Sequence, residues 1–102
     1  MGQTREVIAK VGKEFNIDLL SNRTTGHRWK AEYDPALLQL ANINYEPNSD
    51  KIGAGGTESF RFKSLKKGKT LIKMRYGRPW ETVPAEEAAY IVIMDNGDKQ
   101  SE

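Results

Sequence analysis

No cysteine occurs among the 102 residues. That absence excludes a disulfide framework, a thiol nucleophile and a thiolate metal site, so the fold has to stand on its core. A single histidine, His27, excludes a histidine-based triad and a transition-metal centre of the usual kind. No apolar run approaches the ~20 residues that a membrane helix requires. The segment Met1-Gly2-Gln3-Thr4-Arg5-Glu6 has no apolar signal core. It also misses the myristoylation pattern, because Glu6 stands where serine or threonine is expected. The expectation is either a cytoplasmic protein or a mature chain whose signal has been removed. Net charge is only +2, which gives no electrostatic footprint for nucleic acid. The composition calls for no cofactor and no membrane partner.

What is present fits a small soluble domain, expected to span residues 1–102. Hydrophobic residues make up 37%, enough for one sandwich core, and charged residues make up 29% with both signs mixed. Apolar and polar residues alternate with a period of two in several short runs, the pattern of strands with one buried face. These runs are Phe15–Leu19, Arg28–Tyr33, Ala41–Tyr45, Thr57–Leu65 and Thr70–Tyr76. Val7–Val11 is a further β-prone run, and Ala89–Met94 is the most apolar one and reads as a central strand. Glu58, Arg61 and Lys63 read as mostly outward, and Asp95–Glu102 as a polar tail.

Asp34-Pro35 ends one strand. Ala36–Leu40 after it fits either a single helical turn capped by Asp34 or an extended connection, and it is treated as a connection. Seven or eight short strands, mostly antiparallel and without a convincing helix, predict an all-β, immunoglobulin-like β-sandwich. Its predicted core is Trp29, Phe60, Phe62, Ile72, Met74, Ile91 and Ile93. A tryptophan on the third strand is itself a feature of immunoglobulin-like sandwiches.

Three loop motifs interrupt these runs: Asn22-Arg23-Thr24-Thr25-Gly26-His27-Arg28-Trp29, Gly53-Ala54-Gly55-Gly56 and Arg78-Pro79-Trp80. In immunoglobulin strand order they fall between strands B and C, D and E, and F and G. The first and third then share one end of the sandwich. The 77–87 connection is longer than a hairpin needs, and long loops in compact domains tend to be functional.

Thr24, Thr25 and Gly26 form a narrow tip, as ordinary turns also do. Asn22-Arg23-Thr24 is also a glycosylation sequon, and a glycan there would block this face. The glycine run lacks the Lys-Ser or Lys-Thr of a phosphate loop, and Gly68-Lys69-Thr70 lacks the required earlier glycine, with Lys63 in its place. That run reads as a hairpin loop or as a site of close backbone approach. Arg78 and Trp80 around a rigid proline are residue types that dominate interfaces, although Trp80 could equally pack back on the sandwich edge. Asp95-Asn96-Gly97-Asp98 lacks the remaining ligands of a calcium loop.

Taken together, the three motifs in this order resemble the chagasin family of cysteine peptidase inhibitors. The family's first motif reads Asn-Pro-Thr-Thr-Gly-aromatic-x-Trp. Asn22, Thr24, Thr25, Gly26 and Trp29 match it, with Arg23 in place of the proline and His27 in place of the aromatic residue. Gly53, Gly55 and Gly56 meet the Gly-x-Gly-Gly motif, and Arg78, Pro79 and Trp80 meet the third.

The resemblance implies a non-enzymatic, monomeric, reversible inhibitor whose loops straddle the cleft of a papain-like cysteine peptidase. Its implied contact residues are Asn22, Thr24, Thr25, Gly26, His27, Gly53, Ala54, Gly55, Gly56, Arg78, Pro79 and Trp80. Losing the proline raises the ordering cost of the first loop, while Arg23 favours an acidic cleft. The alternative reading is a non-inhibitory adhesion or interaction module of the same fold. A third, an oligonucleotide-binding barrel using Lys66, Lys67, Lys69, Lys73 and Arg75, is disfavoured by the balanced charge.

Overall fold

A computed structural model describes residues 3–22, 25–47 and 55–96 of the chain. Its strands are β1 (Gln3–Lys10), β2 (Glu14–Ser21), β3 (Arg28–Glu32), β4 (Leu38–Pro47), β5 (Gly56–Ser64), β6 (Gly68–Gly77) and β7 (Glu86–Asp95). They form two sheets, one ordered β1-β7-β6-β3 and the other β2-β5-β4. All pairings are antiparallel except β1 with β7. The expected sandwich is therefore present, with β7 central in its sheet. The first strand lies beside the last, as a parallel edge on the larger sheet.

The core forms where the two inner faces meet. From the smaller sheet come Ile17, Leu38, Phe60 and Phe62; from the larger come Ala9, Trp29, Ile72, Met74, Tyr90, Val92 and Met94. Phe62 is the hub. Phe15 stacks on it with ring centroids 5.9 Å apart, and Tyr33 meets it edge-on at 5.2 Å. Both are favourable aromatic geometries.

Two readings of strand phase need correction. Ile91 and Ile93 are only half-buried, and Tyr90, Val92 and Met94 carry the inner face of β7. The register explains it: Ile72 pairs with Tyr90, and Val7 with Val92. The two isoleucines lie on the outer face, beside Ile8 and Leu71. Glu58 was expected to face outward, but it is only 2% exposed. It stands two residues from Phe60 on the same strand, so it shares that residue's inner face.

Asp34 ends β3 with a single turn. Its carboxylate accepts from the Ala36 N–H at 2.9 Å, and its carbonyl accepts from the Leu37 and Leu38 N–H groups. The extended chain begins again at Leu38, inside the stretch read as a connection. The β4–β5 register then shifts between Leu40 and Asn42. This bulge resets parity, so Leu40 opposite Phe62 and Ile43 opposite Phe60 face the same side. β4 is an edge strand, and Ile43 remains 48% exposed.

Candidate functional site

The topology gathers the β2–β3, β4–β5 and β6–β7 connections at one end of the sandwich. The β5–β6 turn, with Lys66 and Lys67, lies at the other end. Arg75 sits mid-strand between Glu32, at 3.5 Å, and Glu87, at 3.8 Å. Lys66 and Lys67 thus lie at the end opposite the three loops, and Arg75 is engaged by carboxylates of both neighbouring strands.

The β2–β3 loop is closed from below by Tyr76, near the end of β6. The Asn22 N–H donates to the Tyr76 hydroxyl at 2.9 Å. Thr25 Oγ1 donates to the Asn22 carbonyl at 2.8 Å. That hydroxyl has one hydrogen, so its 2.7 Å contact with His27 Nδ1 is accepted from Nδ1–H. The His27 ring also stacks on Tyr76, with centroids 5.2 Å apart. Tyr76 in turn packs on Trp29 at 4.9 Å, and Trp29 Nε1–H donates to the Leu20 carbonyl at 2.8 Å. Gly26 turns the tip at φ 82°, a conformation that favours glycine.

The β6–β7 loop leans on this tip. Arg78 Nε–H donates to the Thr25 carbonyl at 3.0 Å, while its Nη1 lies 3.7 Å from the Glu81 carboxylate. The Arg78 N–H also reaches Glu81, at 3.3 Å, and the Ala85 N–H closes the loop on the Tyr76 carbonyl at 2.7 Å. The guanidinium carbon stands 6.0 Å from the Trp80 ring centroid, a cation–π arrangement. A Cβ on Gly26 would meet Trp80 Cη2 at 3.8 Å, so the indole borders the tip. Trp80 is nonetheless 72% exposed, and Pro79 and Val83 are exposed beside it. The sandwich does not bury this tryptophan.

Of the glycine motif, Gly53 and Ala54 lie outside the described residues, as do Arg23 and Thr24 in the first loop. Gly55 is half-buried, and a Cβ there would come within 3.2 Å of the Ser21 carbonyl. Gly56 is buried in β5, where a Cβ would fall 2.6 Å from the Glu46 carbonyl oxygen and from the Tyr45 ring. The structure therefore brings Asn22, Thr25, Gly26, His27, Arg78, Pro79 and Trp80 to one end, with Gly55 and Gly56 at the root of the neighbouring loop. Sequence reasoning missed Tyr76 as the support of the first loop. Its signal was available, since it is in phase with Ile72 and Met74 and stands two residues before Arg78.

The family model described as Chagasin family peptidase inhibitor I42 matches residues 8–93. The chain belongs to the chagasin family. It is 36% identical over 85 residues to Amoebiasin-2 of Entamoeba histolytica, covering 78% of this chain and 69% of that protein. It is 33% identical over 89 residues to Chagasin of Trypanosoma cruzi, covering 81% and 80% respectively. Among solved structures, it is similar to the cysteine protease inhibitor EhICP2 from Entamoeba histolytica. The TM-score is 0.80 and the identity 24%, over 92% of this chain and 97% of that one. It is also similar to PbICP-C, solved in complex with falcipain-2, with a TM-score of 0.69 and 22% identity over 93% and 90%. These two likenesses show that the chagasin fold is shared.

Proposed function

We propose that this chain is a single inhibitor domain that blocks papain-like cysteine peptidases reversibly, with its three-loop end seated across the active-site cleft. Membership in a family of peptidase inhibitors gives the activity class. The Arg78–Thr25 hydrogen bond carries the structural part, because it joins two of the three loops into one preorganised rim. Preorganisation lowers the ordering cost of docking. Thr24, Thr25 and Gly26 form the wedge at the catalytic centre. Trp80 and Pro79 supply exposed apolar surface on one flank, and Gly53 to Gly56 form the other. The chain acts as a plug, with no catalytic residue of its own.

The same bond gives a reason for resistance to cleavage. A peptidase cuts a carbonyl held in attack geometry within its oxyanion hole. The Thr25 carbonyl is already engaged by Arg78 Nε–H, directed toward the chain's own β6–β7 loop. It is therefore not presented as a scissile group.

The test is titration of papain with the purified protein, alongside a variant with acidic side chains at Thr24 and Thr25. Tight, recoverable inhibition by the parent and weak inhibition by an equally stable variant are expected. A parent that leaves papain fully active would overturn the reading in favour of a non-inhibitory interaction module.

A further inference from the structure

Glu58 has no place in the loop motifs, yet it lies directly beneath them. It is buried, as is Ser21, the last residue of β2. Ser21 Oγ donates to Glu58 Oε2 at 2.6 Å, a short charge-assisted bond. The same oxygen lies 3.5 Å from the backbone nitrogen of Trp29, the second residue of β3 after the loop. Ser21 and Trp29 are the two roots of the β2–β3 loop. Glu58 itself stands two residues past Gly56, where the chain leaves the glycine loop and enters β5.

The start of β5 has little room to shift. Gly56 is pressed against Glu46 and Tyr45 on one side and pairs with Ser21 on the other. One carboxylate thus contacts both ends of the first loop from the strand that carries the second. A carboxylate is a costly choice for a packing position, because burying it requires compensating hydrogen bonds. An apolar side chain would fill the same volume without that cost. Its placement is accounted for by what it holds.

We propose that Glu58 is a positioning residue for inhibition: it fixes both roots of the β2–β3 loop, at Ser21 and Trp29, against the start of β5. The proposal rests on the inhibitor reading above. Glu58 touches no peptidase itself. It keeps the two roots of that loop from moving independently of β5, which lowers the ordering cost of docking.

The experiment compares the parent with Glu58→Leu, Glu58→Gln and Ser21→Ala. Thermal midpoints are measured first, then association and dissociation rates with papain, then amide hydrogen exchange of the free proteins at Gly26, His27 and Gly55. Glu58→Leu leaves the Ser21 hydroxyl and the Trp29 N–H without their shared acceptor, so it should lower the midpoint by several degrees while the protein stays folded. It should also dissociate from papain up to about a hundredfold faster, because both loop roots lose the acceptor that orders them. Glu58→Gln keeps an acceptor and should lose about tenfold, as should Ser21→Ala. Exchange should rise at Gly26, His27 and Gly55 together.

A folded Glu58→Leu with parental dissociation and parental exchange would overturn the proposal, leaving Glu58 as a packing residue only. If the leucine variant fails to fold, Ser21→Ala decides on the same two readouts. If the parent itself fails to inhibit papain, the inhibitor reading falls and the proposal with it. Parental behaviour of every folded variant against a papain-inhibiting parent removes the proposal alone.

Discussion

Arg78 holds Thr25 by its backbone: the guanidinium Nε–H donates to the Thr25 carbonyl at 3.0 Å, across 53 positions of sequence. The bond joins the β6–β7 loop to the tip of the β2–β3 loop. A charge-assisted hydrogen bond of this kind is worth about 1.5–3 kcal/mol. Arg78→Ala should therefore weaken papain inhibition by about tenfold or more. It should also free the Thr25 carbonyl, so that slow cleavage between Thr25 and Gly26 becomes detectable by mass spectrometry on long incubation. Arg78→Lys keeps the charge without the planar donor and should recover only part of the loss. Parental inhibition by Arg78→Ala would show that the loops hold their geometry without this bond.

Trp80 is the largest exposed apolar side chain on the same end. Truncating it removes no core contact, so Trp80→Ala should change stability by no more than about 0.5 kcal/mol. Binding should weaken by about 2 kcal/mol or more, the range of an interface anchor, chiefly through faster dissociation. Paired measurement of the unfolding midpoint and the inhibition constant checks both halves. A large drop in midpoint with inhibition intact would place Trp80 among the packing residues instead.

Much of this arrangement was legible in the alternation of residues. Trp29, Ala31 and Tyr33 share one face as read, and Ile72 and Met74 are buried as read. These strands have one polar face, so the period of two states which face is buried. β7 gave no such contrast. Tyr90 to Met94 is apolar at every position, and in a central strand both faces are covered to some degree. Its phase is set by pairing with β6 and β1, and the 78–85 loop is too long to transmit parity as a tight hairpin does.

Glu58 was misread for a different reason. Its charge suggested solvent, although its spacing from Phe60 and Phe62 placed it inward. What admits it is the Ser21 hydroxyl, thirty-seven positions away, and no local pattern reports such a partner. The bulge at Ala41 was equally silent in the sequence, because alternation before and after it is regular. The three loop motifs were legible in the sequence, while Tyr76, which supports the first loop, was read only as the end of the alternating run Thr70–Tyr76.

Gly56 tests whether the glycine motif is also a packing requirement. A Cβ there would fall 2.6 Å from the Glu46 carbonyl oxygen, a backbone atom that cannot swing away. Gly56→Ala should force β4 and β5 apart locally and cost about 1–3 kcal/mol. For a domain of this size that lowers the thermal midpoint by about 4–8 °C per kcal/mol. An unchanged midpoint would mean that the β4 edge yields more easily than its pairing suggests.

The last prediction concerns alkaline stability. Tyr90 sits on the central strand, 9% exposed, facing the core. Its phenol pKa is raised above 10.0, first by desolvation on burial. Arg5, its neighbour across the β1–β7 pair, pulls the other way, and Asp18 adds a smaller upward push. The neutral phenol is thus favoured in the folded state relative to the unfolded one. A raised acid of this kind contributes stability that is fully present below the unfolded pKa and is lost as pH rises through the folded one.

The parent should accordingly lose stability above about pH 10, and Tyr90→Phe, which has no ionisable hydroxyl, should lose less over the same range. Lysine and arginine titrations are common to both proteins and largely cancel in the comparison. The measurement is the thermal midpoint of each between about pH 8 and pH 11. Two curves falling in parallel would show that the Tyr90 hydroxyl ionises as readily in the folded protein as in the unfolded chain.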